Sequence, residues 1–245
     1  ILNGYGEHED ELIRLEKLSR KIAPALAILY AFGASFLAWD FVMTLDQEWF
    51  STLFGVFFII GNMHAFLGLI LAISITVRNR FGMHEYITIN RLHDLAKMVF
   101  AFSLLWAYMG YSQYIVIWYA DMPEETPFLV IRSMEEPWAL MFLLIIISVF
   151  AIPFVGLLPK TLCRTANYTR VMGIWVVLGQ WFAIYLMVVP SLQHYGHYHV
   201  YLGLHELFIT LGFAGMFFLS YLTFLGKVPL LPISDKHLCR SWHGH

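Results

Sequence analysis

Residues 50–77 read FSTLFGVFFIIGNMHAFLGLILAISITV, a run without a single Asp, Glu, Lys or Arg. About 20 mainly apolar residues suffice for a helix to cross the hydrocarbon core of a bilayer. The alternation that marks a strand is missing. The only ionisable side chain in the run is His64, and Gly61, Ala65, Gly68 and Ala72 recur around it at helical spacing. Such a small-residue face lets a second helix approach closely. The stretch therefore predicts a transmembrane helix with a histidine near its middle.

Five further stretches have the same character. The predicted spans are 22–45, 50–77, 92–119, 138–158, 171–189 and 202–226, each bounded by charge, Pro or Gly. Of the 245 residues 59% are hydrophobic and 13% charged, against roughly 45–50% and about 25% in a soluble domain. Mean hydropathy is +0.66. A soluble fold of this size cannot hide that much apolar surface, and disorder needs the opposite composition. A formal net charge of −2 leaves no basic footprint for nucleic acid. The predicted fold is an all-α integral membrane protein with six transmembrane helices facing lipid. A charged amphipathic linker (1–21) precedes them and a tail (227–245) follows.

Lys and Arg are sorted by side. Arg14, Lys17, Arg20, Lys21, Arg78, Arg80, Arg91, Lys97, Lys160, Arg164, Arg170, Lys227, Lys236 and Arg240 fall on one side, and Arg132 alone on the other. The positive-inside rule makes the first side cytoplasmic, and with it both ends of the chain. The other face carries Asp46, Glu48, Asp121, Glu124, Glu125, Glu135, Glu136, His194, His197 and His199, stiffened by Pro123, Pro127, Pro137 and Pro190. It reads either as solvated surface or as a docking face for another subunit. The chain opens on Ile1 rather than Met, which leads us to expect further spans before it.

Ionisable groups inside a span are functional candidates by default. Asp40 lies in the first span, where burial would favour its protonated form; a structural hydrogen bond is the other reading. His64 suits either a proton relay or a packed imidazole with one hydrogen bond. Asp94 and Lys97 are spaced to pair on one face of the third helix, as an anchor or as the mouth of a proton path. Tyr108, Tyr111, Ser112, Gln113, Tyr114, Trp118 and Tyr119 fill the outer half of that helix as an aromatic belt. Within the belt, the Gln113 amide requires a partner. His205 and Glu206 open the last span, where protons could reach the outer aqueous phase.

No resident cofactor is expected in this chain. Bis-histidine haem needs two His at one depth on different helices, and His64 has no such partner. The outer histidines, and Cys239 with His243 and His245, show no tetrahedral spacing for zinc, so no metal site is predicted. Cys163 falls on the reducing side and needs no special role. There is no phosphate-cradling glycine loop and no nucleophile elbow.

Two segments carry a family resemblance. Asp40-Phe-Val-Met-Thr-Leu-Asp-Gln-Glu-Trp-Phe-Ser-Thr52, running on to Gly55, resembles the D-x-x-M-S/T-L-D-x-x-W-F/Y-S-T signature of NrfD-like (polysulfide reductase type) membrane subunits. The stretch from Asp94 to Lys97, Ser112-Gln-Tyr114, and Ile117-Trp-Tyr-Ala-Asp-Met-Pro-Glu-Glu125 is similar to the same group. Within it, the likeness is to the F-type subunits of bacterial alternative complex III. The resemblance implies a ten-helix subunit of two bundles, of which this chain would be the later six helices. It implies a quinol:electron acceptor oxidoreductase, respiratory or photosynthetic, in a bacterial inner membrane. The implied partners are a paralogous membrane subunit and periplasmic iron–sulfur and cytochrome c subunits, which hold the clusters and c-type haems.

Quinol oxidation releases protons as well as electrons, and no residue set here could carry electrons. The first expectation is a scaffold that conducts protons, with Asp94 and Lys97 at the inner end, His64 in the middle, and Asp40, His205 and Glu206 near the outer end. The alternative is a menaquinol or ubiquinol pocket at the outer rim, using Asp40, Tyr111, Gln113, Trp118 and His205. A secondary transporter ranks third, since no clear repeat relates the first three spans to the last three.

Overall fold

A computed structural model describes residues 2–193, 200 and 203–227. His194, His197, His199, Cys239, His243, His245 and the tail beyond Lys227 lie outside the described residues. The long helices are α1 (Leu2–Phe41), α2 (Leu53–Arg80), α3 (Ile89–Ala120), α8 (Ala166–Val188) and α9 (Leu204–Leu225). The fourth span is composite: α5 (Trp138–Ile146), a π-turn (Ile147–Ala151) and α6 (Ile152–Leu157). Short helices α4 (Thr126–Ser133) and α7 (Lys160–Cys163) sit in the connections. There is no strand among the described residues.

Among the described residues, six helices are long and apolar enough to cross a membrane: Lys17–Leu45, Leu53–Arg80, Ile89–Ala120, Trp138–Leu157, Ala166–Leu192 and Leu204–Leu225. Three features depart from the sequence reading. The segment expected as a linker is helical and continuous with the first span, because only Pro24 interrupts the ladder and its missing N–H removes a single bond. An amphipathic helix, α4, fills what reads as an acidic loop. The fourth span relaxes into a π-turn just before Pro153, a usual way to absorb a proline inside a helix.

The chain divides into two compact units, residues 27–199 and residues 1–26 with 200–245. In the first, α2 and α8 form the central pair. Phe54, Phe57, Ile60, Gly61, His64, Leu67, Gly68, Leu71 and Ile75 make one buried stripe. Thr169, Met172, Gly173, Val176, Gly179, Gln180, Ala183 and Leu186 make the matching one. Both follow the three-and-four spacing of a helix face. Gly68 and Gly173 bring the backbones together: a Cβ on Gly173 would lie 2.5 Å from the Gly68 carbonyl oxygen. The small-residue face expected on α2 is thus where α8 docks. α2 closes at Gly82, whose φ of +65° takes the left-handed turn that glycine tolerates best.

α3 covers α2, and the fourth span packs against α3 mainly through its π-turn and α6. Two clusters of side chains fill the interior. Near the acidic loops it is aromatic, with Trp49, Phe54, Phe57, Trp106, Phe128 and Trp138. Near the cationic loops it is aliphatic, with Leu67, Leu71, Ile75, Leu92, Val99 and Val176. In the second unit, α9 has no buried residue.

Candidate functional site

The aromatic half of the bundle encloses a cavity of about 480 Å³. It lies between α3, α4, α5 and α8. Its walls are largely apolar, among them Phe57, Trp106, Ile117, Phe142, Ile145 and Leu186. The polar groups on them are few: Trp49, Tyr111, Gln113, Tyr114 and Arg132. An apolar hollow with a handful of polar groups is the usual make-up of a small-molecule site, and such sites run from roughly 300 to 1,000 Å³.

Each polar group is held differently. The Gln113 amide Nε2 donates to the Ser51 hydroxyl at 3.2 Å, which supplies the partner its depth requires. Trp49 is 3% exposed. It stacks face to face on Phe128, with 3.7 Å between centroids, and meets Phe54 edge-on. Its indole N–H is buried without a partner. Arg132, fully inside at 2% exposure, caps the end of α8. Its Nε donates to Leu186 O at 3.2 Å, its Nη1 to Phe128 O at 2.9 Å, and its Nη2 to Met187 O at 2.9 Å and to Ser191 Oγ. A cation at a helix C-terminus meets the negative end of the helix dipole. This explains how the lone cation of that face is tolerated in an apolar interior.

A second polar feature lies between the two core clusters. His64 is completely buried, and its Nδ1 meets Gln180 Nε2 at 3.0 Å. With the amide as donor, Nδ1 accepts, and the ring proton resides on Nε2. That nitrogen has no partner. Gln180 also faces a small cavity of about 20 Å³ shared with Gly61, Asn62 and Trp106, room for about one water.

The remaining predicted residues are more scattered. Asp40 is exposed rather than buried. The face of α1 that packs inward carries Ala34 and Ala38, and Asp40 stands about 200° around the helix from Ala38. Asp94 and Lys97 form the expected ion pair, 3.0 Å apart, with both side chains mostly exposed. Tyr111 and Gln113 share the cavity, whereas Trp118 is 65% exposed and does not line it. Asp40 is not among the lining residues either. In the other unit His205 is exposed, and a Glu206 carboxylate oxygen accepts the Gly203 backbone N–H at 2.9 Å. That bond caps α9 and gives Glu206 a structural role. Among the described residues no three His, Cys, Asp or Glu side chains gather in a way that could hold a metal.

Gln180, Trp49 and Arg132 are the site residues that sequence reasoning passed over. A buried His64 demands a partner, and Gln180 lies in the middle of the fifth predicted span, so that pairing had a signal. Trp49 had one only as a motif letter. Arg132 had none, since all its acceptors but the Phe128 carbonyl lie more than fifty residues away, at the end of α8 and just past it. No protein-family model and no curated protein matches this chain.

Proposed function

We propose that this chain is a membrane subunit of a quinol:electron acceptor oxidoreductase that binds a quinone-class lipid in the cavity between α3, α4, α5 and α8. The observation that carries this reading is the cavity itself: apolar walls, a flat aromatic surround, and Tyr111, Gln113 and Tyr114 among the few polar residues that line it. A quinone is a flat ring with carbonyl oxygens and an apolar tail, and these walls complement each part. The family likeness of the segments 40–55 and 94–125 supplies the rest of the reading. The chain would be part of a ten-helix subunit in a bacterial inner membrane, with its described ends in the cytoplasm. Redox centres would reside in periplasmic iron–sulfur and cytochrome c partners, beside a paralogous membrane subunit. The test is the quinone content of the purified assembly. Ala107→Trp, which fills the cavity from α3, should strip most of it while thermal stability persists. Unchanged content would refute the reading.

A proton-conducting role is the second reading, and the buried His64 favours it. Its Nε2 has no partner, which leaves the ring able to exchange a proton within the unit of residues 27–199, whose cationic end carries the Asp94–Lys97 pair. In that case His64→Phe lowers proton translocation while quinol-driven electron transfer continues.

A further inference from the structure

We infer that the cationic end of the bundle holds an anionic glycerophospholipid, its phosphate at Lys160 and Arg164 and an acyl chain in the groove between α6 and α8. The inference is independent of the quinone pocket, which lies in the aromatic half of the same unit. Two elements bring the charges together. On α3, His93 and Lys97 are four residues apart and share a helix face. Lys160 opens α7 and Arg164 follows its last residue, again four apart. α3 packs on α7, and Leu92, Ala96, Leu157 and Cys163 belong to one buried cluster. His93 accordingly feels the charges of Lys97, Asp94, Arg164 and Lys160 together. Asp94 is already paired with Lys97. Lys160 and Arg164 are exposed and make no ion pair among the described residues. Two cations left in this way at the end of a membrane span are the charge complement of a lipid phosphate.

The second part of the site is apolar. Ala151, Ile152, Val155 and Gly156 on one side, and Tyr168 and Met172 on the other, line an open groove of about 430 Å³. Val155 is exposed, which puts the groove on a lipid-facing surface. Gly156 lies four residues before Lys160, and Tyr168 four after Arg164. The Tyr168 hydroxyl donates to Gly156 O at 3.0 Å, so the turn that carries both cations also closes one end of the groove. A phospholipid presents the same order along the membrane normal, an anionic group followed by apolar chains. A choline or ethanolamine headgroup would add a third cation beside Lys160 and Arg164, which favours a lipid with net negative charge.

The test is titration of the full chain in detergent with phosphatidylglycerol or phosphatidylcholine of equal chain length, read by native mass spectrometry. Phosphatidylglycerol should bind about tenfold more tightly, and Lys160→Gln with Arg164→Gln should weaken it about twentyfold, the scale of two cations at an anionic membrane surface. Lys17→Gln with Lys21→Gln removes two cations elsewhere in the chain and should leave the affinity unchanged. Val155→Trp fills the groove and should weaken the lipid while sparing any binding of inorganic phosphate. Equal binding of the two lipids, or an equal loss in both double variants, would reduce the site to general attraction by cationic loops and overturn the inference. Inorganic phosphate that competes as well as the lipid, with Val155→Trp without effect, would mark a free-anion site and overturn the lipid assignment. The preference in the unaltered protein needs no variant, so a misfolded one does not spoil the test.

Discussion

Trp49 and Phe128 lie ring on ring, 3.7 Å between centroids and 3° between planes, and the Arg132 guanidinium sits 3.5 Å from the Phe128 centroid. Two groups this close cannot share one face of a ring, so Phe128 is sandwiched between indole and cation. Trp49 comes just before α2, whereas Phe128 and Arg132 belong to α4 and Arg132 donates to carbonyls at the end of α8. One stack on the wall of the cavity thus ties these elements together. Cation–π contact adds about 2 kcal/mol when desolvated.

Arg132→Met should therefore destabilise the protein by about 3 kcal/mol, because buried carbonyls at the end of α8 lose their donors. Arg132→Lys should recover less than half of that, since an ammonium cannot fork between several acceptors. Thermal unfolding in detergent reads both values, and an unchanged Tm for Arg132→Met would contradict the capping role.

Gly173→Ala should cost more than any other glycine-to-alanine change in α8. Its Cβ would meet the Gly68 carbonyl oxygen at 2.5 Å, which forces α2 and α8 apart. Gly212→Ala in α9 meets nothing within 4 Å. There the gain in helix propensity, up to about 1 kcal/mol, is free to appear. The two variants should shift Tm in opposite directions.

Gln180→Leu removes the hydrogen-bond partner of the buried His64 Nδ1 and should cost about 1–3 kcal/mol. Replacing both residues, His64→Leu with Gln180→Leu, should be milder than Gln180→Leu alone, because no polar group is then stranded. A double-mutant cycle measures the difference. Additive losses would show that the two side chains do not depend on each other.

Cys163 is buried, its Sγ 3.0 Å from Leu157 O, and burial pushes its thiol above the ordinary value. A thiol raised in this way stays protonated longer in the folded than in the unfolded chain. Its contribution to stability is present below the unfolded pKa and fades as pH rises through the folded one. In a Cys239→Ser background, alkylation of Cys163 should stay slow until well above the pH of about 8.5 at which a free thiol ionises. Denaturant should make it fast. Rapid labelling of the folded protein at pH 8 would contradict this.

Much of the architecture was legible in the sequence because hydropathy and helical spacing are local signals. The run 50–77 announces both its helix and, through Gly61, Gly68 and Ala72, the face that α8 covers. What stayed hidden depends on distant pairing. Arg132 reads as one loop cation until its acceptors on α8 are in place. Asp40 reads as a buried acid, although Ala34 and Ala38 already mark the inward face of α1 and leave Asp40 on the other. The cavity was half visible, since Tyr111 and Gln113 were singled out as polar groups in an aromatic belt. Trp118 shares that belt, but its position on α3 turns it away, and Trp49 comes in from a different segment.

The most direct measurement is photolabelling of the membrane-embedded assembly with an azido-quinone, followed by mapping of the labelled peptides. The account predicts adducts on α3 around Gly110 to Ile117, on α4 and on the end of α8, suppressed by excess unlabelled quinone and by Ala107→Trp. Labelling confined to other surfaces of the chain, or labelling indifferent to Ala107→Trp, would contradict it.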